Sequence, residues 1–338
     1  MSTTPAAGGE ADRREPLPPL DSPPDAARRP RRGWKGWVGV IVPFIPALVP
    51  AAIVISVAVT LVNASGLHNF GWGFFLPGSS ANPYGVAVEI VGSFLTAVPA
   101  LFLSMILGLG IAIASVVYLP TFITRVLDPF VDLLAGIPSV VYGLWAFIVI
   151  APIFGTVINP WAVEHLSFVP GFARSIIPPS PTTAGTGLPL AIIVLTLMAL
   201  PITTLLIRDA LRSIPKDLWE SGLALGATRW EVMRRVGLRT GSRGIVSAAF
   251  LGFGRAIGET VAVAMVIGVD ARFPVNVYDV TSTMAAFMFE NLDSAESHPA
   301  LLQNLAELAL VLLAITLVVN LVGRRLVSHI YAGEVAGI

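Results

Sequence analysis

Long apolar runs separated by short polar interruptions dominate the chain. Four stretches contain no Asp, Glu, Lys or Arg, namely 36–88, 90–124, 133–163 and 175–207. About 20 apolar residues suffice to cross a bilayer as a helix. Hydrophobic length and the turn-rich interruptions predict helical spans, which are placed at 37–62, 85–118, 128–154, 187–208, 244–269 and 301–323. The expected fold class is an all-α polytopic membrane protein with about six transmembrane helices.

The composition agrees with a membrane protein and excludes several kinds of site. The chain is 55% hydrophobic and only 12% charged, with a mean hydropathy of +0.79, outside the range of soluble domains. It has no cysteine, which excludes disulfides and thiolate metal sites. The four histidines are far apart and no HExxH spacing occurs. We therefore expect no metal site.

The basic residues indicate an orientation. Residues 1–35 are rich in Pro, Ala and Arg and are predicted to be a disordered cytosolic tail, followed by a transmembrane domain over 36–330 and a cytosolic end over 331–338. With six spans and the N terminus inside, all of the 21 Lys and Arg residues except Arg174, Arg255 and Arg272 lie on the cytosolic side. Both termini are thus predicted to be cytosolic, with outer loops over 63–84, 155–186 and 270–300.

The segment 209–243, between the fourth and fifth predicted spans, is too polar to cross the membrane. Pro215 suits the first turn of a helix, and Gly226 suits its C-terminal cap. Thr228 and Glu231 have the T-x-x-E spacing of a capping box, which begins a second helix. The segment is therefore predicted to be a rigid helix, turn and helix that can transmit force to a partner in the cytosol.

This segment resembles a known signature. Glu220, Ser221 and Gly222, followed by Gly226, are similar to the E-A-A-x-x-x-G motif of permease subunits in bacterial ABC importers. Small residues replace the two alanines, and the Leu-Pro that usually follows appears here as Leu238-Arg239. In that family the EAA segment docks on the cytosolic ATPase. The resemblance implies that these four residues couple the chain to an ATPase.

Further stretches narrow the resemblance to one importer. LAGIPSVVYGL at 134–144, DALRSIPKDLWESGLALGATRWEV at 209–232 and LGFGRAIGETVAVAMVIG at 251–268 look like permeases of the phosphate-specific ABC importer, closer to its PstC type than to its PstA type. The similarity covers about residues 35 to 330. It implies a type I ABC importer permease fold and a multi-pass position in the bacterial plasma (inner) membrane, in contact with membrane lipid.

The resemblance also implies partners. These are a PstA-like permease forming a heterodimer with this chain, a PstB-like ATPase dimer and a PstS-like phosphate-binding protein, with inorganic phosphate as substrate and no nucleic acid. The chain itself is not expected to be an enzyme. Its only lysines, Lys35 and Lys216, do not follow a glycine as Walker A requires. No cofactor is expected in this chain, because ATP and Mg would be bound by the partner ATPase.

Two charged residues lie inside the fifth predicted span, where GRAIGET occupies 254–260. A charge at the centre of a membrane helix costs about 2.5–3.5 kcal/mol on insertion scales, so it usually faces protein or water. Arg255 and Glu259 are four residues apart and are expected to pair on one helical face. Gly254 and Gly258 have the same spacing and are expected to let another helix approach closely.

Two roles are open for this pair. In the first, Arg255 offers bidentate donors to passing phosphate, Glu259 holds the arginine and prevents overly tight binding, and Thr260 adds a hydroxyl. In the second, Arg255 and Glu259 form an interhelical ion pair that fixes a subunit interface or a gate without touching substrate.

Three other functions are alternatives to a phosphate permease. An ABC permease for another oxyanion has the same requirements as one for phosphate. A proton-coupled secondary phosphate carrier would use Glu259 as its proton site and would have no use for the 209–243 segment. An intramembrane hydrolase has little support, because GxSxG and HExxH are absent and the one close acidic pair, Asp128 and Asp132, is predicted at a cytosolic helix end.

Overall fold

The computed structural model describes residues 34–65, 74–76, 85–166, 168, 185–268, 273–274, 276 and 278–335. The first 33 residues of the predicted tail and the last three of the chain lie outside them. Two compact units divide the chain. The described part of the first unit, Met1–Ser56, is helical. The second unit, Val57–Ile338, holds the other helices.

The described residues are mostly helical. In chain order the helices are α1 Trp34–Ser65, α2 Ala87–Ile113, α3 Thr121–Ala135, α4 Ser139–Trp145, α5 Ala151–Ile153, α6 Asn159–Leu166, α7 Leu188–Arg212, α8 Lys216–Ala224, α9 Arg229–Val232, α10 Leu238–Thr240, α11 Ser242–Ile257, α12 Val261–Ile267, α13 Met284–Ser297 and α14 Pro299–Val335. π-helical turns continue α2, α4, α5 and α9, at Ala114–Tyr118, Ala146–Ile150, Phe154–Ile158 and Met233–Gly237.

Within the described residues, up to six segments can cross a membrane by length and composition, the sixth only if a bent helix pair counts as one span. Five are helical throughout, namely Leu48–Ser65, Ala87–Tyr118, Ser139–Leu166, Leu188–Arg212 and Pro299–Val327. The sixth is the pair α11 and α12, which is bent by 63° at a short break. The predicted class, an all-α protein with about six transmembrane helices, is confirmed.

Helix α7 lies at the centre of the second unit. The apolar window of this crossing is 61% buried, against 33% for α2 and 22% for α14. Hydroxyls help to join α7 to α2, since Thr203 Oγ1 donates to the carbonyl of Ser104 at 3.3 Å. A side chain at Gly108 would meet the Thr203 hydroxyl at 2.9 Å, so the glycine permits this close approach.

The third crossing differs from its predicted position at 128–154. Helix α3 ends at Ala135, a turn follows, and the crossing runs from Ser139 to Leu166. Pro138 explains the separation, because proline lacks an N–H and disfavours helical backbone in the residue before it. The prediction of an outer loop beginning at 155 is therefore wrong, because residues 155–166 are helical.

The end of the chain also departs from the prediction. The predicted outer loop over 270–300 contains α13 and, before it, the buried non-helical residues Thr281, Ser282 and Thr283. A Cβ atom at Gly92 in α2 would collide with the carbonyl oxygen of Ser282, so this non-helical stretch lies directly on that glycine. Helix α14 continues to Val335, beyond the predicted end at 323.

Candidate functional site

The helix, turn and helix predicted for the polar segment are present. Glu220, Ser221 and Gly222 lie in α8, and Gly226 follows with a φ of +81°, which favours glycine. The capping box is complete. The Thr228 hydroxyl accepts from the Glu231 amide at 3.3 Å, and Glu231 Oε2 accepts from the Thr228 amide at 2.8 Å. The Thr228 amide and the Thr228 hydroxyl, which both donate to Glu231 Oε2, lower the pKa of the Glu231 carboxyl.

Helix α8 presents apolar side chains outside the crossings. None of its residues is buried. Leu218 is 44% exposed and Leu223 is 43% exposed, while Leu225 in the adjoining turn reaches 89%. Contact with lipid does not account for apolar exposure on a short polar connector, and such patches are typical of protein interaction sites. We call α8 and Leu225 the docking helix.

Helix α8 contacts α9 directly, and α9 in turn contacts the end of the second crossing. Gly222 faces Val232 of α9, where an added Cβ would stand 2.8 Å from Val232 Cγ2. In the next turn, Arg229 Nη1 donates to the carbonyl of Val117, at the end of the second crossing, at 3.2 Å. A displacement of α8 is therefore passed to α9 by direct contact.

Gly222→Ala should lower the free energy of unfolding by about 1–3 kcal/mol, the usual cost of overpacking a close contact. The reason is that Val232 is only 2% exposed and its short branched side chain has no room to move away. The measurement is thermal unfolding of the purified protein, with Val232→Ala as the compensating change. The double variant should recover much of the loss, whereas equal instability of the single and double variants would contradict this contact.

The charged residues of the fifth crossing are arranged differently from the expectation. Helix α11 ends at Ile257, two residues after Arg255, and Glu259 lies in the break before α12. Ion pairs among the described residues do not include Arg255 with Glu259. The expected i, i+4 pair is therefore wrong, because the helical periodicity that would align the two side chains stops at Gly258. Thr260 Oγ1 donates to the Gly258 carbonyl at 3.2 Å within the break.

The glycines of this stretch do not contact another described helix. A Cβ at Gly254 would have no neighbour within 4 Å, and one at Gly258 would meet only carbonyl oxygens of its own helix. Their role in helix packing stays a prediction for contact with another subunit. The close approach occurs elsewhere, since a Cβ at Gly143 of α4 would stand 2.8 Å from Ala262 Cα of α12. This contact joins the LAGIPSVVYGL and LGFGRAIGETVAVAMVIG stretches.

Arg255 is exposed and opens on a cavity of about 340 Å³. The cavity lies between three helices, with Ile202 of α7 and Thr316 and Asn320 of α14 in its wall. A guanidinium within a crossing must face water or a partner protein, because lipid cannot solvate it. The arginine is thus placed to meet an anion or another chain.

A charge cluster, which the sequence patterns did not reveal, joins α3 to the C-terminal end of α7. Arg208 is 4% exposed and contacts Asp128 at 2.9 Å and Asp132 at 3.0 Å. Arg212 contacts Asp128 at 2.6 Å, and the Ser115 hydroxyl donates to the same carboxylate at 3.1 Å. Asp128 and Asp132 are thus partners of arginine side chains. This arrangement gives no support to the hypothesis that they are the acidic pair of a hydrolase.

Asp128→Asn should destabilise the second unit by about 1–3 kcal/mol, because it leaves the buried Arg208 charge partly unpaired. Burial alone would raise the pKa of Asp128, but the hydrogen bonds from Arg212 and Ser115 and the Arg208 charge outweigh it and lower the pKa. The ionised Asp128 carboxylate therefore stabilises the fold fully above the ordinary Asp pKa of about 3.9. This stabilisation is lost as the pH falls through the lower pKa that Asp128 has in the folded protein.

Thermal unfolding of the native protein and of Asp128→Asn, measured as a function of pH, tests this charge cluster. The difference in stability should be constant above the ordinary Asp pKa and should shrink in acid. Asp217→Asn, an exposed change in α8, is the control. A difference that grows as the pH falls would contradict the assignment.

Comparisons with known proteins agree on one family. Residues 104–333 match the family model described as "Binding-protein-dependent transport system inner membrane component". "Phosphate transport system permease protein PstC 1" of Mycobacterium tuberculosis is 34% identical over 314 residues, with 88% of this chain and 92% of that protein covered. The PstC protein of Haemophilus influenzae is 31% identical over 289 residues, with 83% and 90% covered.

Solved structures support the fold alone. A bacterial alginate ABC transporter in complex with an alginate-bound periplasmic protein contains a chain that matches with a TM-score of 0.56 and 19% identity, over 88% of this chain and 98% of that one. The MetNI methionine ABC transporter gives a TM-score of 0.51 at 19% identity, over 72% and 97%. The expected type I importer permease fold is confirmed.

Proposed function

We propose that this chain, which belongs to the binding-protein-dependent transport system inner membrane component family, is a permease subunit of an ATP-driven phosphate importer. Its relatives are named as phosphate transport system permeases, which supports phosphate as the substrate. The observation that carries the proposal is the exposed docking helix joined to an arginine inside a broken crossing. A permease driven by a separate ATPase needs an exposed element to bind it, and an arginine inside a crossing suits an anionic substrate.

The proposed assembly has four kinds of component. A PstA-like permease would complete the translocation pathway, and a PstB-like ATPase dimer would bind ATP and Mg in the cytosol. A PstS-like protein would deliver phosphate at the outer face. The docking helix, with Glu220, Ser221, Gly222 and Gly226, would sit in a cleft of the ATPase, which requires that both termini are cytosolic. The chain itself would supply no catalytic group.

Helix continuity gives the proposed coupling a physical route. The segment from Arg229 to Ile257 is helical except for Gly241, so α9, α10 and α11 follow one another closely. Gly222 contacts α9 at one end of this route, and Arg255 lies at the other. Movement of the docking helix in an ATPase cleft would therefore displace Arg255. This is how ATP binding would change access to the pathway.

At the break, three residues would act on phosphate. Arg255 would donate two parallel hydrogen bonds to phosphate oxygens. Glu259 is half-buried and does not form an ion pair with Arg255. Its carboxylate would repel the anion and favour its release. Thr260 would offer its hydroxyl. Conduction needs binding that is weak enough for departure, which a neighbouring carboxylate provides.

Uptake of labelled phosphate by cells that lack other phosphate importers tests the proposal. Cells expressing the chain with its partner subunits should accumulate phosphate, with competition by arsenate and little by sulfate. Strong competition by sulfate would instead identify a permease for another oxyanion. Co-purification of an ATPase would distinguish either kind of ABC permease from a proton-coupled carrier. Uptake that continues after removal of the ATPase would overturn an ATP-driven mechanism.

A further inference from the structure

A groove that carries several polar and charged side chains extends from Arg255 towards the loop that carries the docking helix. The cavity at Arg255 shares Leu251 and Asn320 with a second cavity of about 560 Å³, whose wall includes Arg243, Ser247 and Arg324. The two cavities thus form a continuous groove between α11 and α14. We call it the inner groove.

Helical spacing explains why these side chains share the groove. On α11, Arg243, Ser247 and Arg255 are separated by four and eight residues, so they lie on one face. At 1.5 Å per residue they extend over about 18 Å, more than half of the roughly 30 Å hydrocarbon thickness of a bilayer. On α14, Thr316, Asn320 and Arg324 repeat every four residues and form the facing stripe.

The bottom of the inner groove is a close contact between the same two helices. A Cβ at Gly323 would stand 2.6 Å from Cγ of Phe250, so α14 approaches α11 at this glycine. Larger residues there would separate the helices. The groove is therefore a fixed feature of helix packing, open along one side, as expected for half of a pathway that a second permease closes.

The chemistry of the inner groove suits an anion. The residues in the walls of its two cavities include three arginines and no carboxylate. Asn320 is exposed inside a crossing and adds a neutral amide donor. The Thr316 hydroxyl is already bonded to the carbonyl of Leu312 at 2.8 Å, so Asn320 is the available neutral donor on this stripe. Polar side chains at membrane depth face a water-filled space or protein.

We propose that the inner groove is the cytosolic half of the anion route and that Asn320 and Arg324 form a second binding position for inorganic phosphate after Arg255. The identity of the anion rests on the proposed function. Two weak positions in series let an anion leave the first without entering lipid, as conduction requires. The phosphate of an anionic lipid headgroup has the same chemistry, and the experiment separates the two sources.

The absence of cysteine from the chain makes the test direct. Asn320→Cys and Ser247→Cys are made in the complete transporter, in inside-out membrane vesicles, and treated with membrane-impermeant thiol reagents. Both should be modified, and faster by an anionic reagent than by a cationic one of similar size. Inorganic phosphate should slow modification of Ser247→Cys, which lies in the same cavity wall and leaves Asn320 and Arg324 in place. Val318→Cys is the control, because Val318 is 57% exposed but lies on the opposite face of α14 and should remain unmodified.

The results distinguish the possible failures. Unmodified groove cysteines in a transporter that takes up phosphate would overturn the groove proposal. Modification that phosphate and other oxyanions leave unchanged would overturn the second binding position and assign the groove to a lipid headgroup. Protection by sulfate but not by phosphate, with no phosphate uptake by the native protein, would overturn the proposed substrate while keeping the anion route.

A charge substitution gives an independent measurement. Arg324→Gln should reduce phosphate uptake about tenfold, the effect of losing one charged hydrogen bond, and Arg324→Lys should restore part of it. The adjacent Arg325→Gln removes the same charge from a residue that does not line the groove and should leave uptake nearly unchanged. Equal losses for Arg324→Gln and Arg325→Gln would overturn the assignment of Arg324 to the route.

Discussion

Arg255→Ala is expected to reduce phosphate uptake by about 10- to 100-fold without loss of the assembled transporter. Hydrogen bonds to a charged group contribute about 1.5–3 kcal/mol, and each 1.4 kcal/mol or so changes a constant tenfold. Arg255 is exposed to its cavity and forms no ion pair with a described residue. Its removal should therefore affect the passing anion more than the fold.

The controls for this variant separate substrate binding from assembly. Arg255→Lys should retain part of the activity, since it keeps the charge but not the bidentate geometry. Arg239→Ala, which removes an exposed charge in α10, should transport normally. Full uptake by Arg255→Ala would refute a role in the pathway. Loss of the partner permease on purification would instead support a structural ion pair across the subunit interface.

Leu225→Asp is expected to weaken binding of the ATPase by about 30-fold or more, the range of an interface hot spot. Leu225 is 89% exposed and adjoins the left-handed turn at Gly226, so its side chain contributes little to the fold of this chain. Burial of a leucine in a partner contributes about 1.5–3 kcal/mol, and a carboxylate in the same place would be desolvated. Co-purification of the ATPase measures the effect.

A matched charge at another position controls for nonspecific repulsion. Thr240→Asp adds the same carboxylate to an exposed residue of the same loop outside the docking helix. It should leave ATPase binding and phosphate uptake unchanged. Equal recovery of ATPase with Leu225→Asp and the native chain would show that α8 is not the docking element.

The sequence predicted the local elements of this protein best. The capping box at Thr228 and the turn at Gly226 depend on neighbouring residues, and both are present as expected. The number of crossings followed from apolar length. The start of the third crossing could not be predicted from apolar length, because residues 133–163 contain no charged residue on either side of Pro138. Hydropathy alone cannot indicate where a continuous apolar run changes direction.

Features made by distant residues could not be predicted. Arg208 meets Asp132 across 76 positions of sequence, and the inner groove joins helices that are far apart along the chain. The break at Gly258 was missed because helical periodicity continues through GRAIGET in the sequence. That break separates Arg255 from Glu259, so the two side chains do not form the expected ion pair. Arg255 instead faces a cavity.

Phosphate uptake into proteoliposomes is the most direct test of the central claim. The purified transporter, containing this chain, its partner permease and the ATPase, would be reconstituted with the phosphate-binding protein on the side of the predicted outer loops. Labelled phosphate should accumulate only when ATP and Mg are present on the side of the docking helix. Accumulation that a proton gradient drives without ATP, or none for phosphate under either condition, would contradict an ATP-driven phosphate importer.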